Sequence, residues 1–506
     1  MPLMAGMPDV NPLSSAPGAA MIRSAWAGSP RPMVWALVAI AALYPIVIWA
    51  AAFPTPYIDI LELKSWGIAF PLYTWKHPPL PAWVVGAAAL LGPRDAWYFM
   101  ALGQLLNLAT LFYAGRIARD FIGREAVLPI VILVGGSVYL SVSLPTIALN
   151  SDQLQAPLWT ALVYYGMRAA RDDGWLDWIL FTAALGLSFL AKYFVVVLVL
   201  ALLVAATAVP DYRRIFASIK FYLAGVLALL IVLPYLVALT RHPEAIGYAK
   251  SFFSSDKTRL TAFSNFIHPV VLTLLPIGIA AIWLYPRGLI QIARGTANPH
   301  VRFLLIAAVV FAAVQGTLIL FGFDYSQRYP YPFLALSAAL FLGFVRVDPR
   351  GLPRFAGLML AIWAIVVAGT IVYALLVLRP ALRQPAPAAA AAIDRQWKRD
   401  FKCGPAYIMG FKDAAFAVAF YFRDSGHDVI GISLGDYLHH AQWIDRDRIH
   451  KQGAIVVGDD ADEVTKLFVN DFSRRSAPMF VSLPYRHTWS DARKTYAYTF
   501  IAPEGC

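Results

Sequence analysis

The sequence predicts an all-α bundle of membrane-spanning helices followed by a small extracytoplasmic α/β domain. Three observations predict it. Only 14% of the 506 residues are charged and 59% are hydrophobic, where a soluble chain carries about a quarter charged residues. Mean hydropathy is +0.61, and apolar runs of spanning length recur through the first 380 residues. From about residue 394 the pattern changes to short β-like runs alternating with helical ones.

A spanning helix needs about 20 apolar residues. On that measure about eleven spans fall near 33–53, 95–115, 126–142, 153–169, 175–190, 193–209, 217–239, 269–286, 302–322, 330–346 and 355–378. Segment 80–92 is apolar but too short to cross, and reads as interfacial or re-entrant. Residues 1–30 are rich in Pro, Gly, Ala and Ser and read as disordered, with no cleavable signal peptide. The formal net charge is +12. That excess does not indicate nucleic acid, because the arginines sit in short loops between apolar runs. Arg23, Arg31, Arg116, Arg119, Arg124, Arg168, Arg171, Arg213, Arg214, Arg287, Arg294, Arg302, Arg346, Arg350 and Arg354 all fall on one side, which the positive-inside rule makes cytoplasmic. Loops 54–78, 143–152, 241–268 and 323–329 fall on the other. An odd number of spans puts the C-terminus outside too.

After Arg379, residues 381–393 read as a linker by composition. Residues 394–506 then alternate strand-like AYIMG, DVIGI, AIVVG, MFVSL and TYAYTFI with helix-like DAAFAVAFYF and DEVTKLF, the order of an α/β domain. Gly458-Asp459-Asp460 reads as a turn rather than a metal site. Cys403 and Cys506 are too few for a cysteine metal cluster. They allow one disulfide if this part lies outside the cytoplasm.

The chemistry concentrates in the outer loops. Ionisable groups beside a bilayer are costly and therefore point to function. Asp59 and Glu62 are three apart and share a helix side. His77 precedes two prolines that fix an extended turn. Asn150-Ser151-Asp152 enters the fourth span, and Lys192-Tyr193 forms the turn between the fifth and sixth. Arg241-His242 opens the next outer loop, and Asp324, Tyr325 and Arg328 stand at the mouth of the tenth span. Carboxylates with Lys, Arg and His at one membrane face suit transfer from an anionic lipid carrier. A carboxylate takes the proton of an acceptor hydroxyl, and cations offset charge on a departing phosphate. Plainer roles stay open: Asp59 or Asp152 as helix caps, Glu62 as the partner of Lys64 or an Arg, His77 as a turn former, Lys192, Arg241 and Arg328 as snorkelling cations, and Trp66, Trp75 and Trp83 as an aromatic belt.

The order of these pieces resembles the GT-C glycosyltransferases of the ArnT and protein O-mannosyltransferase type. The resemblance rests on Asp59 followed by His77-Pro78-Pro79, on Asn150-Ser151-Asp152, on Leu190-Ala191-Lys192-Tyr193, and on Arg328-Tyr329-Pro330-Tyr331-Pro332, within about residues 33–346. Ile60 stands where the family often has Glu, and Glu62 is the residue left to take that role. The resemblance implies a bundle of about eleven to thirteen spanning helices in a bacterial inner membrane, with residues 31–380 catalytic and the C-terminal domain periplasmic. It implies an inverting hexosyl, pentosyl or uronosyl transferase that draws on a polyprenyl-phosphate-linked sugar. The acceptor would be lipid A or its core, another glycolipid, a polysaccharide or a protein. In that reading Asp59 and Asp152 are catalytic. Lys192, Arg241 and Arg328 bind the donor phosphate, and Glu62, His77, His242 and Tyr325 touch substrate. A divalent cation, Mg or Mn, is left open, with Asp59, Glu62 and Asp152 as the carboxylates that would hold it. A transporter or flippase of lipid-linked sugars is the rival class. It predicts ionisable residues near the bilayer midplane and symmetry between halves, and the sequence carries neither.

Overall fold

The computed structural model describes residues 31–74, 76–93, 95–137, 148–242, 258–284, 297–345, 351–376, 380–438, 441, 443–468, 472, 474–486 and 491–505. Residues 1–30, Trp75, and residues 243–257 of the expected loop 241–268 are among those outside them.

Among the described residues, those within 31–376 are mainly helical and those within 386–501 include a mixed sheet. The helices that position the site are α1 (Arg31–Ala52), α2 (Ile58–Gly67), α3 (Leu80–Leu91), α4 (Ala96–Ile117), α5 (Val127–Gly135), α6 (Ser151–Asp172), α7 (Trp175–Ala191), α8 (Val195–Ala208), α9 (Ile219–Arg241), α10 (Arg259–Leu284), α11 (Pro299–Leu320), α12 (Tyr331–Phe344) and α13 (Leu352–Leu376). Among the described residues, four helices are long and apolar enough to cross a membrane, at Pro32–Ala52, Ile219–Arg241, Pro299–Leu320 and Leu352–Leu376. A fifth would join α8 to Pro210–Ala217 across a bend of 110°. This is fewer than the eleven spans the hydropathy predicts. Several expected spans form helices shorter than a bilayer crossing needs: α7 has 17 residues, and α8 and α12 have 14 each.

α6 lies at the centre, packed against α4, α7 and α12, while α8 packs on α11. Its face is almost wholly buried, with Trp159, Leu162, Tyr164 and Met167 at 2% exposure or less. By contrast α9 keeps Leu223, Val226, Leu227, Leu229 and Leu230 more than 40% exposed. A helix apolar on its outer face in this way suits a lipid solvent.

α2 and α3 cross at two glycines. A Cβ on Gly67 would lie 2.1 Å from the Ala82 carbonyl oxygen, and one on Gly86 would lie 2.3 Å from the Gly67 oxygen. No side chain fits between these backbones, so glycine sets the closeness of the crossing. The short apolar segment 80–92, expected to be interfacial or re-entrant, contains a twelve-residue helix that packs on α2.

The expected linker is not loose chain. Ala386–Asp400 forms helix α14, with Ala386, Ala389, Ala390, Ile393 and Trp397 buried. Its alanine run is a helix-former, and the apolar spacing gives it one face to pack. The five predicted strands all form: β1 (Tyr407–Gly410), β2 (Ile430–Ser433), β3 (Ala454–Gly458), β4 (Met479–Pro484) and β5 (Arg493–Ile501). Their order in the sheet is β2-β1-β3-β5-β4. β1 runs parallel to β2 and β3, with Ile408 opposite Ile455, and β5 runs antiparallel to β3 and β4. Helix α15 (Lys412–Tyr421) joins β1 to β2 and buries Phe416, Ala417, Val418 and Phe420. Gly458-Asp459-Asp460 is a turn that starts a helix: Asp460 accepts from the Glu463 amide at 2.8 Å, and Asp459 pairs with Lys494 at 2.5 Å. Cys403 is disulfide-bonded. The chain's other cysteine, Cys506, lies outside the described residues.

Candidate active site

Four charged side chains from four separate stretches of chain converge at one end of the bundle. Arg328 donates to Asp59 Oδ2 at 2.8 Å and stands 3.6 Å from Asp152 Oδ2. The Lys192 ammonium donates to the other oxygen of Asp152. Arg328 also donates to the Tyr57 hydroxyl at 2.6 Å.

Local structure explains how each arrives. Pro54 and Pro56 end the approach to α2, and Tyr57 is extended at its N-cap. Asp59 then falls in the first turn, where the helix dipole favours a carboxylate. At α6 the cap is Asn150, whose side chain accepts from the Asp152 and Gln153 amides at 2.9 and 2.8 Å. Asp152 is therefore not spent on capping, and its carboxylate is free to face the cations. Lys192 is extended, at φ −167° and ψ 140°, immediately after α7 ends. Arg328 is carried on a tight turn in which the Tyr329 amide donates to Ser326 O at 3.1 Å.

The floor is aromatic. The Lys192 ammonium lies 4.9 Å above the Tyr329 ring, a cation–π contact. Tyr329 stacks on Phe194 at 4.6 Å and meets Tyr325 edge-on at 5.3 Å. The exposure of the four charged side chains runs from 2% for Asp152 through 12% for Lys192 and 16% for Asp59 to 32% for Arg328. The cluster thus joins a buried carboxylate, Asp152, to a partly exposed guanidinium, Arg328. Burial alone would lower the Arg328 pKa. Asp59, then Asp152 and Tyr57, outweigh that and hold it above its ordinary value. Burial, reinforced by Asp59, raises the Tyr57 phenol. Arg328 is therefore charged and Tyr57 protonated throughout the neutral range. Two carboxylates face two cations, so the cluster is formally neutral before any ligand enters.

Not every predicted residue joins it. Glu62 turns away and pairs with Lys76 at 2.7 Å. Asp59 and Glu62 are on one helix, but each is claimed by a different cation. The set Asp59, Glu62 and Asp152 is thus not gathered around one point. Among the described residues no three His, Cys, Asp or Glu side chains converge as metal ligands. Arg241 is exposed at the end of α9, with no ion pair to the four among the described residues. His242 stacks on Tyr73 at 4.6 Å. His77 is half-buried, and its backbone is tied by Thr74, whose hydroxyl donates to His77 O at 2.7 Å and accepts from His77 N at 2.9 Å. Tyr325 is fully buried behind Tyr329. Sequence reasoning missed Tyr57, although its place before the first carboxylate of a helix was a usable signal. It also read Trp66 as part of a membrane belt. Trp66 is buried and donates to Asp436 at 2.9 Å.

A family model described as dolichyl-phosphate-mannose-protein mannosyltransferase matches residues 76–237. Over 165 residues the chain is 26% identical to lipid A galacturonosyltransferase RgtD of Rhizobium johnstonii, covering 31% of this chain and 33% of that protein. The match therefore spans about a third of the relative's length. Two crystal structures of ArnT from Cupriavidus metallidurans, one bound to undecaprenyl phosphate and one apo, superpose with a TM-score of 0.58 at 16% identity. They cover 92% and 93% of this chain and 97% and 98% of theirs. Together these matches support a GT-C glycosyltransferase. The structural likeness extends over the C-terminal unit as well as the bundle. The family match contains Asp152 and Lys192 but stops short of Asp59 and Arg328. Half of the cluster therefore lies inside that match and half outside it.

Proposed function

We propose that this chain transfers a monosaccharide from a polyprenyl-phosphate carrier to an acceptor at the periplasmic surface of a bacterial inner membrane, with inversion at the anomeric carbon. The convergence of Asp59, Asp152, Lys192 and Arg328 in one cluster carries the reading.

Lys192 and Arg328 are the donor's phosphate ligands. The incoming phosphodiester competes with Asp152 and Asp59 for them, since a phosphate oxygen and a carboxylate seek the same donors. When Arg328 turns to the phosphate, Asp59 loses its partner and becomes available as a base. The acceptor oxygen attacks the anomeric carbon. The bond from that carbon to the phosphate oxygen breaks, and its electrons leave with polyprenyl phosphate. The acceptor proton passes to Asp59. Phosphate is already a fair leaving group, so the cations need only offset its developing charge. Asp152 holds Lys192 in place between turnovers. If the acceptor is itself a phosphate, Asp59 orients it instead of deprotonating it.

The name of the galacturonosyltransferase relative favours lipid A or a similar phosphoglycolipid as acceptor. The disulfide at Cys403 supports an oxidising compartment for the C-terminal unit. The test is transfer by purified protein from defined polyprenyl-phosphate sugars to lipid A. Wild type should transfer and Asp59→Asn should lose at least about a hundredfold. Full activity in Asp59→Asn would remove the assigned base.

A further inference from the structure

We propose that the C-terminal α/β unit positions the catalytic helix, and that Lys64 is the positioning residue through which it acts. The inference rests on the reading of Asp59 given above.

α2 has ten residues, eight of them buried. A helix that short has little stability of its own in water, so its neighbours dictate where it lies. Its three ionisable side chains are each committed in a different direction. Asp59 goes to Arg328, Glu62 goes to Lys76, and Lys64 goes to the C-terminal unit. Lys64 is 1% exposed. Its ammonium donates to Phe420 O at 2.5 Å, at the last turn of α15, and lies 3.6 Å from Asp428. It also sits 4.3 Å from the centroid of the Phe420 ring. The carbonyl end of a helix is its negative pole, so a cation there is well placed.

Two further contacts hold the same face. Trp66 donates to Asp436, whose second oxygen accepts from Ser433 N at 2.9 Å and Ser433 Oγ at 2.7 Å. Tyr421 donates to Pro54 O, just ahead of α2. A Cβ on Gly431 of β2 would lie 2.8 Å from Ser65 Oγ, so the strand backbone lies directly against α2. An apolar contact would hold these surfaces together at lower cost than a buried charge. What the buried pair adds is a fixed register between α15 and α2. That register sets where Asp59 stands, five residues earlier on the opposite side of the helix.

The test compares Lys64→Met with wild type in detergent or nanodiscs, using the full chain and a polyprenyl-phosphate sugar. Methionine keeps an unbranched side chain, one atom shorter, and removes the charge. For the fraction that is folded, kcat should fall about tenfold or more, because a displacement near 1 Å can cost up to about a hundredfold. KM for the donor should stay within about twofold, since Lys192 and Arg328 are untouched. Asp428→Asn should give a smaller loss, and adding it to Lys64→Met should cost little more. Trp66→Phe keeps the ring and removes the donor to Asp436, which provides a second variant if Lys64→Met does not fold; its kcat should fall about threefold at constant KM. Unchanged kcat per folded molecule in Lys64→Met, or in Trp66→Phe where the former is unfolded, would overturn the proposal. So would a rise in KM with kcat retained. Loss in Asp59→Asn alongside normal rates in these variants would leave the assigned base standing and sink only the positioning role.

Discussion

Two clusters of charge stand at opposite ends of the helical bundle, and they are built differently. At the candidate site, Arg328 and Asp59 are 269 residues apart and Lys192 and Asp152 are 40 apart. At the other end, Arg116 pairs with Asp120 and Arg168 with Asp172, each one helical turn away, and Arg171 pairs with its neighbour Asp172. The second cluster also ties loops together through Arg171 to Asp120 O at 3.0 Å and Arg214 to Ala170 O at 2.7 Å. Both are networks of ion pairs. The second rests largely on partners one helical turn apart or adjacent, with a few longer links such as Arg168 to Asp177 at 3.1 Å, and most of its groups are partly exposed. The distant one requires four elements to fold correctly before any pair can form, and it ends on a carboxylate that is 2% exposed. Local exposed pairs contribute little. A buried convergence is costly, and that contrast supports the proposal that the first cluster is the site.

Substitutions at the two ends should separate sharply. The largest effect should come from Arg328→Ala, which removes a proposed phosphate ligand and leaves Asp59 without the guanidinium it pairs with. Transfer should fall at least about a hundredfold. Lys192→Ala should follow, with a loss of about tenfold to a hundredfold and a raised donor KM, because Asp152 then stands buried without its lysine. The glycine crossing that carries α2 comes next. Gly86→Val pushes a side chain into the Gly67 backbone and should lower stability by about 1–3 kcal/mol, read as a fall in thermal midpoint. Asp460→Ala removes a helix cap in the C-terminal unit, costing about 1 kcal/mol of its stability with transfer unchanged. Arg116→Ala, in the local cluster, should change transfer by less than about twofold. A hundredfold loss there would erase the distinction between the two ends.

Much of this was legible in the sequence because charge in an apolar chain is conspicuous. Asp59, Asp152, Lys192 and Arg328 could be collected on one side by counting spans and arginines, and the five strands of the C-terminal sheet followed from short apolar runs between turn residues. What could not be read was the choice of partner. Glu62 and Asp59 look equivalent on a helix. Only the fold reveals that Lys76 takes one and Arg328 the other. Asp152 looked like a helix cap until Asn150, two residues earlier, proved to hold that place. Trp66 and Lys64 carried no signal for a contact some 360 residues away, because side-chain pairing over that distance has no periodicity to betray it. The alanine run after Arg383 was misread for a related reason: composition alone does not distinguish a spacer from a helix with one buried face.

The central claim is that Asp59 and Arg328 act as one unit in catalysis, and a double-mutant cycle on transfer tests it most directly. The rates of Asp59→Asn, Arg328→Ala and the double variant would be measured with a polyprenyl-phosphate sugar donor under single-turnover conditions. Groups that work together are non-additive, so the double variant should be no slower than the worse single one by more than about threefold. Losses that multiply in full would show two residues acting apart, and would contradict the shared site.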